Sequence, residues 1–168
     1  TESLNTCAVD VAMQYGVNKS YRFMTDKLGF STLTQTDGSQ VGAMALGGLE
    51  QGVTTEEMAA AYAAFANEGV YTEPRTFVRV EDSDGKVVLE NSAKSHVAMK
   101  ESTAYIMNGL LEQVIQSGTG SGAYFSGMTI AGKTGTTTND YDRWFVGYTP
   151  YYTAAVWVGF EQNERVPA

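Results

Sequence analysis

Apolar positions divide the chain into a helical part followed by strands. From about Thr6 to Tyr15, Val9, Ala12 and Met13 recur at helical spacing, and Gly16 stops the pattern. A second helix starts at Asn18 and ends at Gly29. Between Phe30 and Val53 the Gly, Ser and Thr content rises, which predicts a loop with one short turn around Ala43 to Leu46. Thr54 through Asn67 is the clearest helix: Thr54 and Glu57 stand in capping-box spacing, Met58, Ala61, Tyr62 and Phe65 form a stripe, and Gly69 closes the end. Two short runs with Val78, Val80, Val87 and Val88 flank Ser83-Asp84-Gly85-Lys86, which predicts a hairpin. A long helix from about Ser102 to Gln116 ends in the glycine-rich stretch 117–122. After it the period changes. Met128 to Lys133, Arg143 to Thr149 and Tyr152 to Phe160 are rich in β-branched and aromatic residues, with Thr149-Pro150-Tyr151 as a tight connection. Helices followed by three strands predict an α+β fold, an antiparallel sheet packed against helices.

Composition narrows the function classes. The chain has 168 residues, 43% of them hydrophobic, which is the size and apolar content of one globular domain. A formal charge of −8 with eleven scattered basic residues argues against a nucleic-acid partner, since phosphate binding needs clustered Lys and Arg. One cysteine and one histidine, Cys7 and His96, build neither a disulfide framework nor a zinc site, and no metal or cofactor is expected. Cys7 is read as a small buried apolar residue and His96 as a surface or strand-edge residue.

Lys133-Thr134-Gly135-Thr136 closes a predicted strand. Alternation puts Thr134 and Thr136 on one side, so two hydroxyls can meet one anionic group, while Gly135 lets another backbone approach. A peptide ending in a carboxylate, laid along the strand edge near the Lys133 charge, fits this pattern, although Lys133 has to reach across the edge. The competing reading is an exposed strand end leading into a polar turn. Ser3-Leu4-Asn5 lies before the first helix, where Ser3 and Asn5 are also plausible capping residues. The stretch Gly118 to Gly122 follows a helix rather than opening one, which excludes a nucleotide loop. Asp140 and Asp142 read as solvated carboxylates in a turn, Glu56 and Glu57 as helix N-terminal charges favoured by the dipole. Tyr148, Tyr151, Tyr152, Trp157 and Phe160 read as sheet packing.

The order of these signals carries more information than any one of them. Ser3-x-Asn5 comes before a helix, then Ala45-Leu46-Gly47-Gly48 with Gly52-Val53-Thr54 and Glu57-Met58-Ala59, then Gly132-Lys133-Thr134-Gly135-Thr136-Thr137. From end to end the chain resembles the transpeptidase domains of class A penicillin-binding proteins, and Gly118-Thr119-Gly120 and Trp144 to Pro150 agree. The resemblance implies part of a penicillin-binding protein/serine β-lactamase-like fold over residues 1–168. It also implies acyl transfer through an acyl-serine, with D-Ala-D-Ala stem peptides as substrates and β-lactams as inhibitors. Carried over, Ser3 would relay a proton, Asn5 would bind the substrate amide, and Lys133 would tune proton traffic. Thr134 and Thr136 would bind the carboxylate beside Gly135, with the Thr136 N–H as an oxyanion donor.

The family's nucleophile belongs to a Ser-x-x-Lys motif before Ser-x-Asn, and only two residues precede Ser3. The single Ser-x-x-Lys match, Ser83 to Lys86, falls in the predicted hairpin turn. The expectation is therefore a partial domain, lacking the nucleophile segment, two sheet strands and a C-terminal helix, and completed by a second chain or segment. A glycosyltransferase domain and membrane anchor would lie upstream, at the extracytoplasmic face of a bacterial membrane. The alternatives are a catalytically silent fragment that retains a carboxylate-binding strand edge, or a β-lactam sensor or β-lactamase, which should lack the segment from Ala45 to Ala66.

Overall fold

The structure, a computed structural model, describes residues 1–162 and 164–167. Helices α1 (Asn5–Tyr15), α2 (Val17–Leu28), α3 (Val41–Leu46) and α4 (Thr55–Ala66) precede two antiparallel strand pairs. Strand β1 (Val70–Thr72) pairs with β4 (Ser95–Val97), and β2 (Arg79–Glu81) pairs with β3 (Val87–Glu90). Helix α5 (Glu101–Ser117) leads to β5 (Ala131–Thr136), β6 (Asp142–Tyr148) and β7 (Thr153–Gly159). These last three form an antiparallel sheet in the order β5-β6-β7, so β5 is an edge strand. The architecture is the expected α+β arrangement.

Helix α4 joins the layers. Its start is the predicted capping box, in which the Thr54 hydroxyl accepts from the Glu57 amide and the Glu57 carboxylate accepts from the Thr54 amide. Ala60, Ala61 and Ala64 are buried, and these small side chains admit Leu28, Phe30 and Tyr71 to one core cluster. Tyr62 and Phe65 pack on a second cluster of Leu111, Ala131 and Tyr148, which fastens α5 to the sheet. Helix α5 buries Ala104, Leu111, Val114 and Ile115, one face at helical spacing. The Tyr148 hydroxyl donates to the Asn108 side-chain carbonyl, and the Asn108 amide donates to the Phe65 carbonyl, so the buried phenol keeps a partner. Burial, with Tyr62 and Glu112 nearby, pushes the Tyr148 ionisation above its usual range.

Two buried carboxylates shape the loop between α2 and α4. Glu57, 8% exposed, accepts from the Ser31 amide at 2.7 Å, the Ser31 hydroxyl at 2.9 Å, the Thr32 hydroxyl at 2.9 Å and the Thr54 amide at 2.9 Å. Burial opposes its ionisation, but the bonds from Thr54, Ser31 and Thr32 outweigh that and lower its pKa to about 2. Asp37, 2% exposed, accepts from the Thr34 and Glu50 amides at 2.9 Å each. The Thr34 amide bond, working against burial, lowers its pKa, and the Glu50 amide adds to it. The dipole reading of Glu57 was therefore incomplete, because its charge also holds residues 31 and 32 against α4.

Several expectations need correction. Cys7 is exposed, because α1 buries no residue and its half-buried positions are Val9 and Ala12. Strand β5 spans Ala131–Thr136 rather than the expected Met128 to Lys133, and Lys133 to Thr136 close it. Strands β1 and β4 were not foreseen, since three residues are too few to display alternation. Tyr151 and Tyr152 are 74% and 82% exposed instead of packing on the sheet. The Thr149 hydroxyl accepts from both of their amides, and the tight turn this makes turns the rings outward. Asp140 and Asp142 are not merely solvated. Asp140 pairs with Arg143 and Arg165, and Asp142 accepts from the Trp157 indole at 2.9 Å.

Replacing Glu57 by Gln should destabilise the fold by about 1–3 kcal/mol, because an amide NH2 would face donors. The carboxylate's contribution is present above its unfolded pKa and is lost as pH falls towards 2. Denaturant melts at pH 7 and pH 3 should therefore show a smaller stability drop for Glu57→Gln than for the parent. Equal drops would remove Glu57 from this role.

Candidate functional site

Ser3 and Lys133, remote in sequence, meet in space. Lys133 lies on β5 opposite Val146 of β6, and its ammonium donates to Ser3 Oγ at 2.9 Å and to the Thr134 carbonyl at 2.8 Å. The reach across the strand edge that alternation demanded is thus made by the flexible lysine stem. Burial lowers the Lys133 pKa from its ordinary value. Ser3 sits in the left-handed region, at φ 55, which is uncommon for a residue with a Cβ. Two contacts hold it there: the lysine bond, and a bond from the Thr119 amide to the Thr1 carbonyl at 3.4 Å.

The capping alternative for Ser3 and Asn5 does not hold. Helix α1 begins at Asn5 with Leu4 at its N-cap and no side-chain capping bond, so neither polar side chain is spent on the helix end. Asn5 is exposed on the first turn, and among the described residues its side chain bonds to neither Ser3 nor Lys133.

Along β5 the environment changes by residue. Thr134 is half-buried, and Gly135 and Thr136 are exposed. A Cβ on Gly135 would lie 3.3 Å from the Trp144 Cβ, so glycine here leaves room against the neighbouring strand. Thr136 pairs with Arg143, and the β5–β6 turn beyond it passes through Asn139 and Asp140, both left-handed. Arg165 and Arg143 anchor that turn through Asp140. Beside the strand lies an open cavity of about 930 Å³, lined among others by Leu49, Met58, Tyr62, Lys133, Trp144 and Trp157.

One residue was missed as a site neighbour. The Thr119 hydroxyl lies 2.6 Å from the Thr134 hydroxyl. A Cβ on Gly118 would come 2.9 Å from the Thr1 and Val114 carbonyls, so a close turn after α5 brings Thr119 to β5. Spacing along the sequence carries no signal for this contact, which exists only once α5 has docked on the sheet.

Comparisons with known proteins converge on one family. The family model for the penicillin binding protein transpeptidase domain matches residues 1–165. Penicillin-binding protein 1A of Clostridium acetobutylicum is 42% identical over 99% of this chain, and penicillin-binding protein 1A/1B of Bacillus subtilis is 39% identical over 82% of it. The chain covers 20% and 16% of those proteins, respectively. Among solved structures, the D,D-transpeptidase domain of a peptidoglycan glycosyltransferase from Eggerthella lenta superposes with a TM-score of 0.71 and 26% identity, over 93% of this chain and 45% of that one. The PonA1 protein of Mycobacterium tuberculosis in complex with penicillin V is 26% identical with a TM-score of 0.68, over 84% of this chain and 41% of that one. The chain belongs to the class A penicillin-binding protein transpeptidases, and it spans about a fifth of the length of the curated relatives it matches.

Titration of the Lys133 side chain, followed by the NMR shift of its Cε, should give a midpoint below that of an ordinary lysine, because burial disfavours the charged form. A midpoint at or above the ordinary value would mean that another charge, rather than burial, governs this amine.

Proposed function

We propose that this chain supplies the second and third motifs of a D,D-transpeptidase that cross-links peptidoglycan stem peptides through an acyl-serine. The observation that carries the reading is the 2.9 Å hydrogen bond from Lys133 to Ser3, which joins two motifs from opposite ends of the chain beside an edge strand. In this reading the nucleophile is the serine of a Ser-x-x-Lys segment outside the 168 residues, on the same polypeptide or a second one. Ser83 is no substitute, since it lies in the β2–β3 turn with Gly85 left-handed at φ 79.

A stem peptide ending in D-Ala-D-Ala would add to the free edge of β5 as an extra strand. Its terminal carboxylate would accept from the Thr134 and Thr136 hydroxyls, and the Lys133 charge would draw it in. The Thr119 hydroxyl, bonded to that of Thr134, would orient the latter's proton towards the carboxylate. As the serine attacks the carbonyl, the Thr136 N–H would stabilise the developing oxyanion, a donor worth on the order of 10²–10³ in rate. Ser3, held by Lys133, would pass the hydroxyl proton of the attacking serine to the departing D-alanine amine. When the acceptor amine then attacks the acyl-serine and the serine oxygen leaves, the proton lost by that amine would return to the serine through the same relay. Asn5 would bind the substrate amide. A β-lactam would enter as a mimic of the dipeptide, consistent with the penicillin V complex of the PonA1 relative. In this reading the parent protein would work at the extracytoplasmic face of a bacterial membrane. No described helix of this chain is long and apolar enough to cross a membrane.

The test is intact-mass analysis and peptide mapping of the full-length protein after incubation with benzylpenicillin. An adduct is expected on a Ser-x-x-Lys serine outside these residues, forming about 10²–10⁴ times more slowly in Lys133→Met. An adduct within the 168 residues would overturn the assignment of the nucleophile. No adduct would favour the silent-fragment alternative.

A further inference from the structure

A second cavity, of about 520 Å³, opens where the end of α2, the first turn of α4 and the β1–β4 pair meet. Its wall carries Asp26, Glu56, Glu57, Glu73, Tyr71 and His96, and neither lysine nor arginine. Glu57 already has its hydrogen bonds from residues 31, 32 and 54. Glu73 lies 3.6 Å from Lys94, but both side chains are more than half exposed, so solvent screens the pair. Asp26 accepts from Thr25, and Glu56 has no hydrogen bond or ion pair among the described residues. Carboxylates alone would be an ordinary solvated surface.

Tyr71 makes this one different. It is only 3% exposed, yet among the described residues its hydroxyl has no hydrogen-bond partner, an arrangement that costs free energy if the oxygen is sealed from water. Among the described residues no fully enclosed side-chain nitrogen or oxygen lacks a partner. The remaining exposure of Tyr71 therefore includes its oxygen, at the wall of the cavity it lines. Gly29 makes room for this: it is left-handed at φ 71, and a Cβ there would overlap the Tyr71 hydroxyl. The other side of the ring leans on His96 at a centroid distance of 5.4 Å, with His96 Nε2 3.0 Å from the Lys27 carbonyl. Burial, and the fields of Glu73, Glu57 and Glu56, raise the phenol pKa, so it stays neutral and able to accept a hydrogen bond.

The chemistry selects the ligand class. Among the described residues, no three His, Cys, Asp or Glu side chains converge as a metal site. Spread carboxylates around one phenol suit a cation that brings several N–H donors of its own. We propose that this cavity binds an alkylammonium group, shared between the Tyr71 hydroxyl and the carboxylates of Glu56 and Glu73. The proposal uses no residue of the Ser3–Lys133 site and stands apart from the transpeptidase reading.

The test titrates 1,4-diaminobutane into the 15N-labelled protein at constant ionic strength and follows amide shifts. Saturable shifts at Gly29 and Tyr71 are expected. Tyr71→Phe, which keeps the ring, and Glu56→Gln, at an exposed position, should each weaken binding by about three- to tenfold. An equal concentration of magnesium chloride should not compete. Shifts that fail to saturate, or that persist unchanged in both variants, would reduce the cavity to a diffuse acidic surface and overturn the proposal. Stoichiometric competition by magnesium would overturn the ammonium assignment.

Discussion

A carboxylate leaves water only where hydrogen bonds replace its hydration, and Glu57 meets that condition with donors from three places in the chain. Two of them, Ser31 and Thr32, follow α2, and the third, Thr54, precedes α4. Setting this charge therefore sets the angle between α2 and α4 and the path of the loop that joins them. Because α4 then packs on β1, α5 and the sheet through Ala64, Tyr62 and Phe65, the same charge fixes the layers on which the Lys133 strand rests. Asp37 repeats the device inside the loop, tying residue 34 to residue 50.

The site inherits its geometry from strand register. Pairing Lys133 with Val146 and Thr136 with Arg143 sets which residues face the cavity, and the order β5-β6-β7 leaves β5 with one unpaired edge. The Asp140 clamp to Arg143 and Arg165 holds the two left-handed residues that end this edge. The Thr134 and Thr136 hydroxyls thus sit on a regular strand whose far end is braced by ion pairs.

Much of this could be read from the residues themselves. The capping box at Thr54 and Glu57, the hairpin around Gly85 and the three C-terminal strands follow from local spacing, and local spacing survives folding. Ser-x-Asn and Lys-Thr-Gly-Thr are short, but their order along the chain is specific, and the structure brings Ser3 and Lys133 together. The features that sequence could not reveal depend on docking. Thr119 reaches Thr134 only because α5 lies against β5, and β1 and β4 are too short to announce themselves. Cys7 looked like core because its type is commonly buried, yet α1 buries none of its residues and leaves Cys7 exposed. Tyr71 drew no attention in the sequence, and the room for its hydroxyl depends on the absence of a Cβ at Gly29.

The Lys133–Ser3 bond spans 130 residues of sequence, and its supporting contact between Thr1 and Thr119 spans nearly as many. Loop-closure entropy makes such a contact slow to form, and no hydrogen-bonded ladder of regular structure reinforces it at the Ser3 end. The two halves of the site are therefore joined by side-chain and loop contacts alone, and they can part while the sheet and α4 stay folded. The Ser3–Lys133 spacing is then set by an equilibrium of its own, and a substitution that weakens the contact between Thr1 and Thr119 shifts that spacing without touching the strand that holds Lys133.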